Sequence, residues 1–328
     1  MPTLHAKSSC CEAKAQRFGG RRRRCSNCGR TWSIRPKRRG PKPRRVAKDL
    51  PRQVLLDKQT TRQLSRTHHC SLSTIHRRLR SALDQLIRQP DFPALPEGEL
   101  VLVVDGLWFS FKRQCWVLYD IALKPLGANT AYFLDPVLLP GREHVERWKQ
   151  ALDTIRPSIR ERVRALVSDG FRGSKGLALE NAWLHQRCHF HVLAQLQGRP
   201  GRQKRSIRAK PVRDAIYQDV KEALVMTDKQ QLEYLQEHLR QQTNRPDCPK
   251  RIRGVAREFL RNVDFFRTYL RHPELKLPAT TGAIESMHNL VRDTVRRIRS
   301  PKSLLQWATA FIRLHPTITC NGRNLQQK

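Results

Sequence analysis

Between Glu99 and Phe111 the chain reads "ELVLVVDGLWFSF", and this run constrains the fold more than any other. Leu100 to Val104 are continuously apolar and mostly β-branched, the pattern of a strand buried on both faces. The run delivers a carboxylate, Asp105, to the edge of a hydrophobic sheet. A chain that accepts that electrostatic cost needs something to bind the charge.

The same theme returns at 163–170, "VRALVSDG", where an apolar strand ends in Asp169 and a glycine. Between the two lie candidate strands at 113–123 and 130–139 and a helix at 141–155. A helix over 174–185 and a strand or strand-to-helix junction at "QRCHFHVL" follow. The order β-β-β-α-β-α-β matches a ribonuclease-H type of fold, in which the first and fourth strands lie side by side and parallel. Asp105 and Asp169 would then emerge together at one sheet edge, where open α/β sheets place ligand sites. Two adjacent carboxylates repel unless one is protonated or a cation lies between them. Mg²⁺ takes oxygen ligands and leaves positions for phosphate oxygens. By themselves, Asp-Gly strand ends also occur as ordinary turns.

A third carboxylate stands in "LPATTGAIESMHNLVRDTVRRIRS", 277–300. Ile284, Met287, Val291, Val295 and Ile298 form a helical apolar stripe, capped by Thr280 or Thr281. Glu285 sits beside the stripe near the helix start, and His288, Asn289, Arg292, Arg296 and Arg299 continue along roughly its face. It reads equally as a metal-binding carboxylate before a phosphate track and as an acid complementing the helix dipole.

Charge supplies the partner. Lys and Arg number 64 against 28 Asp and Glu, a net +36, which a polyanion would neutralise. Residues 1–50 carry +14, whereas residues 91–190 hold 13 basic and 12 acidic side chains. A near-neutral, acid-bearing core thus lies between basic arms. No apolar run approaches the roughly 18 residues of a spanning helix, and the N-terminus lacks a signal-peptide core. Nine scattered cysteines argue against a disulfide framework and for the reducing cytoplasm.

The head holds Cys25-x-x-Cys28-Gly29, half of a zinc ribbon, with Cys10, Cys11 and His5 as candidates for the remaining ligands. The other reading is an arm whose Arg21, Arg22, Arg23 and Arg24 bind phosphates without a metal. A Pro/Lys/Arg linker spans 36–48. Residues 49–89 suit a helix-turn-helix. A break falls near His68–Cys70, Ser71 or Ser73 caps the second helix, and Leu72, Ile75, Leu79, Ala82 and Leu86 face inward. Arg77, Arg78 and Arg80 lie off that stripe, facing DNA in this reading and solvent in a plain two-helix hairpin. Prolines at 90, 93 and 96 mark a boundary. Cys188-x-x-His191 is half a metal site, or a buried thiol with a hydrogen-bonded imidazole. Asp120, Asp135 and His185 read as ordinary, and Trp108 as packing.

Taken in order, "VVDG", "SDG", "QRCHFHV" and "TTGAIESMHN" resemble the Mutator-type DDE transposases of bacterial insertion sequences, in the variant with a zinc-binding N-terminus. The resemblance spans about residues 20–315. It implies that Asp105, Asp169 and Glu285 form the triad that holds two Mg²⁺ or Mn²⁺ ions, with structural Zn²⁺ in the head. The implied organisation is a zinc-ribbon-like head (1–35), the linker, the helix-turn-helix (49–89), a ribonuclease-H-like core (99–194 and 276–328) and an all-α insertion (195–275). It implies cleavage and strand transfer at the ends of an element, on double-stranded DNA, by a homodimer or larger assembly at the nucleoid. The family's C-x-x-H falls on Cys188 and His191, and Gly282 stands where relatives often carry Asn. A non-catalytic DNA-binding regulator is the alternative that composition leaves open.

Overall fold

The structure is a computed structural model and describes residues 11, 15–18, 22–33, 49–88, 93–197, 210–295 and 298–319. It divides into two units, residues 1–47 and 48–328. In the first, β1 (Ala15–Arg17), β2 (Arg22–Cys25) and β3 (Thr31–Ser33) form a three-stranded antiparallel sheet.

The second unit is built on a mixed sheet of seven strands. Its spine is β4 (Leu100–Phe111) and β5 (Gln114–Pro125), twelve residues each and antiparallel throughout. Lys112 and Arg113 join them, both at positive φ (48° and 67°), as the tightest hairpin turns require. β6 (Thr130–Phe133) and β7 (Val137–Pro140) both pair with β5, while β8 (Val163–Ser168) runs parallel to β4. β9 (Leu184–Arg187) is parallel to β8, and β10 (Thr317–Thr319) closes the other edge on β6. The strand order is therefore β10-β6-β5-β4-β8-β9, with β7 extending β5.

The adjacency of the first and fourth core strands is as the sequence order predicts. Four elements differ in extent, and the helix expected over 141–155 runs only from Val145 to Leu152. The expected strand 130–139 is two strands, because Asp135-Pro136 breaks it: proline offers no N–H to the ladder, and the Arg313 guanidinium draws Asp135 aside at 2.9 Å. The helix expected over 174–185 stops at Glu180. Ala182 turns at φ 54°, and the chain re-enters the sheet as β9. The strand expected to end at Asp105 runs on to Phe111, since β5 continues to pair with it.

One face of the sheet is covered by α4 (Val145–Leu152) and α6 (Ser174–Glu180), with the short α5 (Pro157–Arg160) beside them. Trp148 lies at the centre, stacked on Phe171 and edge-on to Tyr119. After β9, α7 (His189–Gln197) leads to a helical layer with its own core: α8 (Lys210–Val225), α9 (Lys229–Asn244), α10 (Lys250–Arg261) and α11 (Val263–Phe266). α12 (Thr268–Arg271) and a 3₁₀ turn at Pro273–Leu275 return the chain to α13 (Gly282–Val295) and α14 (Pro301–Leu314).

Ahead of the sheet stand α1 (Leu50–Leu55), α2 (Thr61–Thr67) and α3 (Leu72–Ile87). Thr60 and Gln63 form a reciprocal capping box on α2, and the Ser71 hydroxyl accepts from Thr74 N–H to open α3. The buried row of α3 is Ile75, Leu79 and Leu83; Leu72 is exposed and Leu86 only half-buried, unlike the expected stripe. The reason is α14, which packs against α3. Gln306 donates to Asp84 at 2.6 Å, and Arg313 donates to the Leu86 carbonyl. Among the described residues no helix is long and apolar enough to cross a membrane.

Candidate metal-binding site

Asp105 occupies the middle of β4, at the point where β8 no longer pairs with it. Parallel pairing runs from Leu100 to Val103 and stops before Asp105, which is buried. Gly106 N–H donates to Asp105 Oδ1 at 2.8 Å, and Phe171 N–H donates to Asp169 Oδ1 at 2.9 Å. Each backbone bond takes one oxygen of its carboxylate and leaves the other to its neighbours.

His191, in the first turn of α7, joins the two halves of the cluster. Oxygen atoms of Asp105 and Asp169 and a nitrogen of His191 lie within 4.8 Å of one another. The same is true of Cys188 Sγ, His191 and Glu285, and His191 Nε2 is 3.4 Å from Glu285 Oε1. The three carboxylates singled out in the sequence thus come from β4, the end of β8 and α13, and meet around one imidazole. Cys188 is buried, and its sulfur accepts from Thr281 N–H (3.2 Å) and Thr281 O–H (3.3 Å). It thereby ties the start of α13 to the end of β9.

Three groups were not read from the sequence as part of this cluster. Asp120, set aside there as ordinary, is the cross-strand partner of Asp105 and fully buried. His288, one turn beyond Glu285, has Nδ1 3.6 Å from Asp105 Oδ2 and Nε2 2.8 Å from Asp120 Oδ2. Glu143 accepts from Trp148 Nε1–H at 2.8 Å and lies over Gly106, where an added Cβ would come within 3.0 Å of its oxygen. His288 was read from the sequence on the helical face of Glu285, but not as the partner of Asp105 and Asp120. Glu143 was read inside the helix expected over 141–155, but the observed helix begins at Val145, and nothing local linked Glu143 to Gly106.

Burial dominates the electrostatics. It pushes Asp105 up to about 8, against the pull of His288 and with help from Asp169 and Glu285. Burial also raises Glu285 to about 7, opposed by Arg292 and the Thr281 hydroxyl, and Glu143 to about 7, with Asp169 adding to the rise. For His288 burial acts downward, but Asp120 and Asp105 outweigh it and hold the imidazole above its ordinary value. Burial thus disfavours the charged forms of these carboxyl groups, a desolvation cost that a bound divalent cation offsets.

A pH prediction follows from these shifts. A carboxyl group whose folded pKa is raised binds more protons folded than unfolded, so its stabilising contribution is lost as pH rises towards the folded value. His185 and His189, both lowered to about 4 by burial, act in the opposite sense, but only below about pH 6.5. In cation-free buffer the melting temperature should thus fall between about pH 6.5 and 8.5. Asp105→Asn should flatten the upper part of that fall in scanning calorimetry. A flat or rising wild-type profile would show that the carboxyl groups are not strained as described.

In the first unit, Cys11, Cys25 and Cys28 offer three sulfurs within 4.8 Å, with Cys11 Sγ 3.0 Å from Cys25 Sγ and 3.8 Å from Cys28 Sγ. Gly29, at φ 73°, makes the turn of the knuckle. His5, Cys10 and Arg21 lie outside the described residues. Arg22, Arg23 and Arg24 are on β2, where Arg22 and Arg24 are exposed and Arg24 stacks over Phe18. On α3, Arg77 and Arg80 are exposed beside His76, and Arg78 is half-buried. Arg292 and Arg299 are exposed, whereas Arg296 lies outside the described residues. Trp108, expected to be packed, is instead 48% exposed three residues past Asp105.

No family model matches the chain, and none of the curated proteins matches it.

Proposed function

We propose that this chain is a DDE transposase, similar to the Mutator type, that cuts DNA at the ends of an insertion element and joins them to target DNA. The observation that carries the reading is the meeting of Asp105, Asp169 and Glu285 around His191. The strand order, with β4 antiparallel to β5 and parallel to β8, supports a ribonuclease-H-like core. The helical layer between β9 and α13 corresponds to the all-α insertion expected at 195–275.

The donor chemistry fits hard divalent ions. Three carboxylates and an imidazole suit Mg²⁺ or Mn²⁺, and a bound cation would offset the burial cost that raises Asp105. Asp105, Asp169 and Glu285 would hold them, with His191 at the centre. When bound, a metal pair lowers the barrier to phosphodiester displacement by stabilising charge on the attacking and leaving oxygens. The protein's own part is positional. Gly106 and Phe171 N–H groups fix one oxygen of each aspartate, and the Cys188–Thr281 bonds set the start of the Glu285 helix. Arg292 and Arg299, exposed farther along, supply cations for a phosphate backbone. No protein nucleophile is required, because water and a DNA 3′-hydroxyl serve.

α2 and α3 form the helix-turn-helix of this reading, with His76, Arg77 and Arg80 presented to the major groove. In the first unit Cys11, Cys25 and Cys28, with Cys10 or His5, would ligate Zn²⁺ as a zinc ribbon. Two element ends imply at least two copies on DNA.

The experiment is strand mapping: the purified chain, duplex bearing the inverted repeats that flank its reading frame, and Mg²⁺ or Mn²⁺. Cation-dependent breaks with 3′-hydroxyl ends at the repeat boundary are expected, and binding without breakage would overturn the enzymatic reading. In the same assay, end binding should weaken steeply with salt. Arg77→Ala/Arg80→Ala should reduce the log–log salt slope by about 2, close to one unit per phosphate contact. An unchanged slope would remove α3 from the DNA interface.

A further inference from the structure

Asp105 and Asp120 face each other across β4 and β5 in direct register. Side chains so paired project from the same face of the sheet, about 4.5–5.5 Å apart at Cβ, and like charges there are destabilising. Both are buried, Asp120 completely. The His288 ring occupies the space between them, one nitrogen towards each carboxylate, at 3.6 Å and 2.8 Å. Because His288 is one turn from Glu285, that ring also ties α13 to the sheet.

We propose that Asp120 and His288 form a buried positioning pair that holds Asp105 and the Glu285 helix in the geometry needed to grip divalent cations. The proposal rests on the metal reading above and deepens it. Asp120 is sealed from solvent and is not itself a ligand; it acts on the site only through the imidazole. A rigid ring with two nitrogens fixes the spacing of two carboxylates, which a flexible amide cannot do. Groups one step removed from a metal typically change its affinity by about 10–100-fold when replaced. The pair also explains why a strand destined for the core carries Asp120 at a position where its neighbours Tyr119 and Ile121 are buried and apolar.

The test is Mn²⁺ binding to the full chain, read from the electron-paramagnetic-resonance signal of free Mn²⁺, with Asp105→Asn identifying the site. Asp120→Asn and His288→Gln should each weaken binding about tenfold, within the outer-shell range, while unfolding remains cooperative. The double variant should bind no more than about threefold more weakly than either single, because the two residues act as one unit. Singles within twofold of wild type, or losses that multiply in the double, would overturn the pair while leaving the metal reading intact. Failure of the wild-type chain to bind Mn²⁺ would overturn both. Should the singles not fold, Asp120→Leu/His288→Leu removes both polar groups together, a change that buried ion pairs often tolerate. Folding with a tenfold loss of affinity supports the proposal. Wild-type affinity, or no folding, makes the pair a purely structural element and overturns it.

Discussion

Asp105→Asn should abolish Mg²⁺-dependent strand cleavage while leaving binding to element ends within about twofold. The substitution keeps the shape of the side chain and its place in β4, including an oxygen for the Gly106 N–H. It removes the negative charge from the centre of a cluster that includes Asp169, Glu285 and His191. Loss of a direct ligand should exceed the about 10–100-fold typical of outer-shell partners, so a drop of more than about 100-fold in the nicking rate is expected. Gel-shift affinity should survive because the exposed cations of α3 belong to a different element. The same variant should be no less stable than wild type at pH 8 without cations. Burial already opposes ionisation of Asp105, and Asn carries no charge to desolvate. Activity and stability thus move in opposite directions, which general misfolding would not produce. Cleavage above about a tenth of the wild-type rate would refute the triad.

Trp148→Ala should be among the most destabilising single changes in the second unit, costing about 3–5 kcal/mol. The indole is fully buried on α4, its ring 5.1 Å from Phe171 and 4.7 Å from Tyr119. Phe171 lies two residues past Asp169 and Tyr119 adjoins Asp120, so the cavity would open directly beneath the carboxylate cluster. The change also removes the N–H that Glu143 accepts. Trp148→Phe keeps most of the packing and deletes only that donor, so its cost should be near the about 1–3 kcal/mol of an unsatisfied buried group. Urea titration of both variants measures the difference. A Trp148→Ala cost below about 1 kcal/mol would mean that the layer over the sheet is not packed as described.

The elements that carry the candidate site were legible because their signals are local. The apolar run before Asp105 and its echo before Asp169 specify strands by period and by length. Their parallel adjacency follows from the order of the intervening elements. Glu285 was legible as a position on a helix, with a cap and a stripe, but not as a metal ligand. Asp120 was missed because a single Asp in a hairpin strand carries no mark of its register partner. Only the observed pairing, with Tyr119 opposite Gly106 and Asp120 opposite Asp105, turns it inward. Glu143 was missed because it fell inside the helix expected over 141–155 with no local mark of its partners; only the packing of Trp148 and the approach to Gly106 bring it to the site. Leu72 and Leu86 were assigned to the core of α3 because α14, more than two hundred residues later, could not be foreseen as its packing partner.

From the sequence alone came a basic chain with an acid-bearing α/β core, two aspartates at strand positions that share an edge, and a glutamate on a later helix. The tertiary structure decided which other side chains gather around them: His191 among all three, His288 between Asp105 and Asp120, Glu143 over Gly106, and Cys188 against Thr281. Periodicity and composition report on neighbours along the chain. Burial and charge coupling depend on neighbours across it, and those are set only when β4, β5, β8, α7 and α13 pack together.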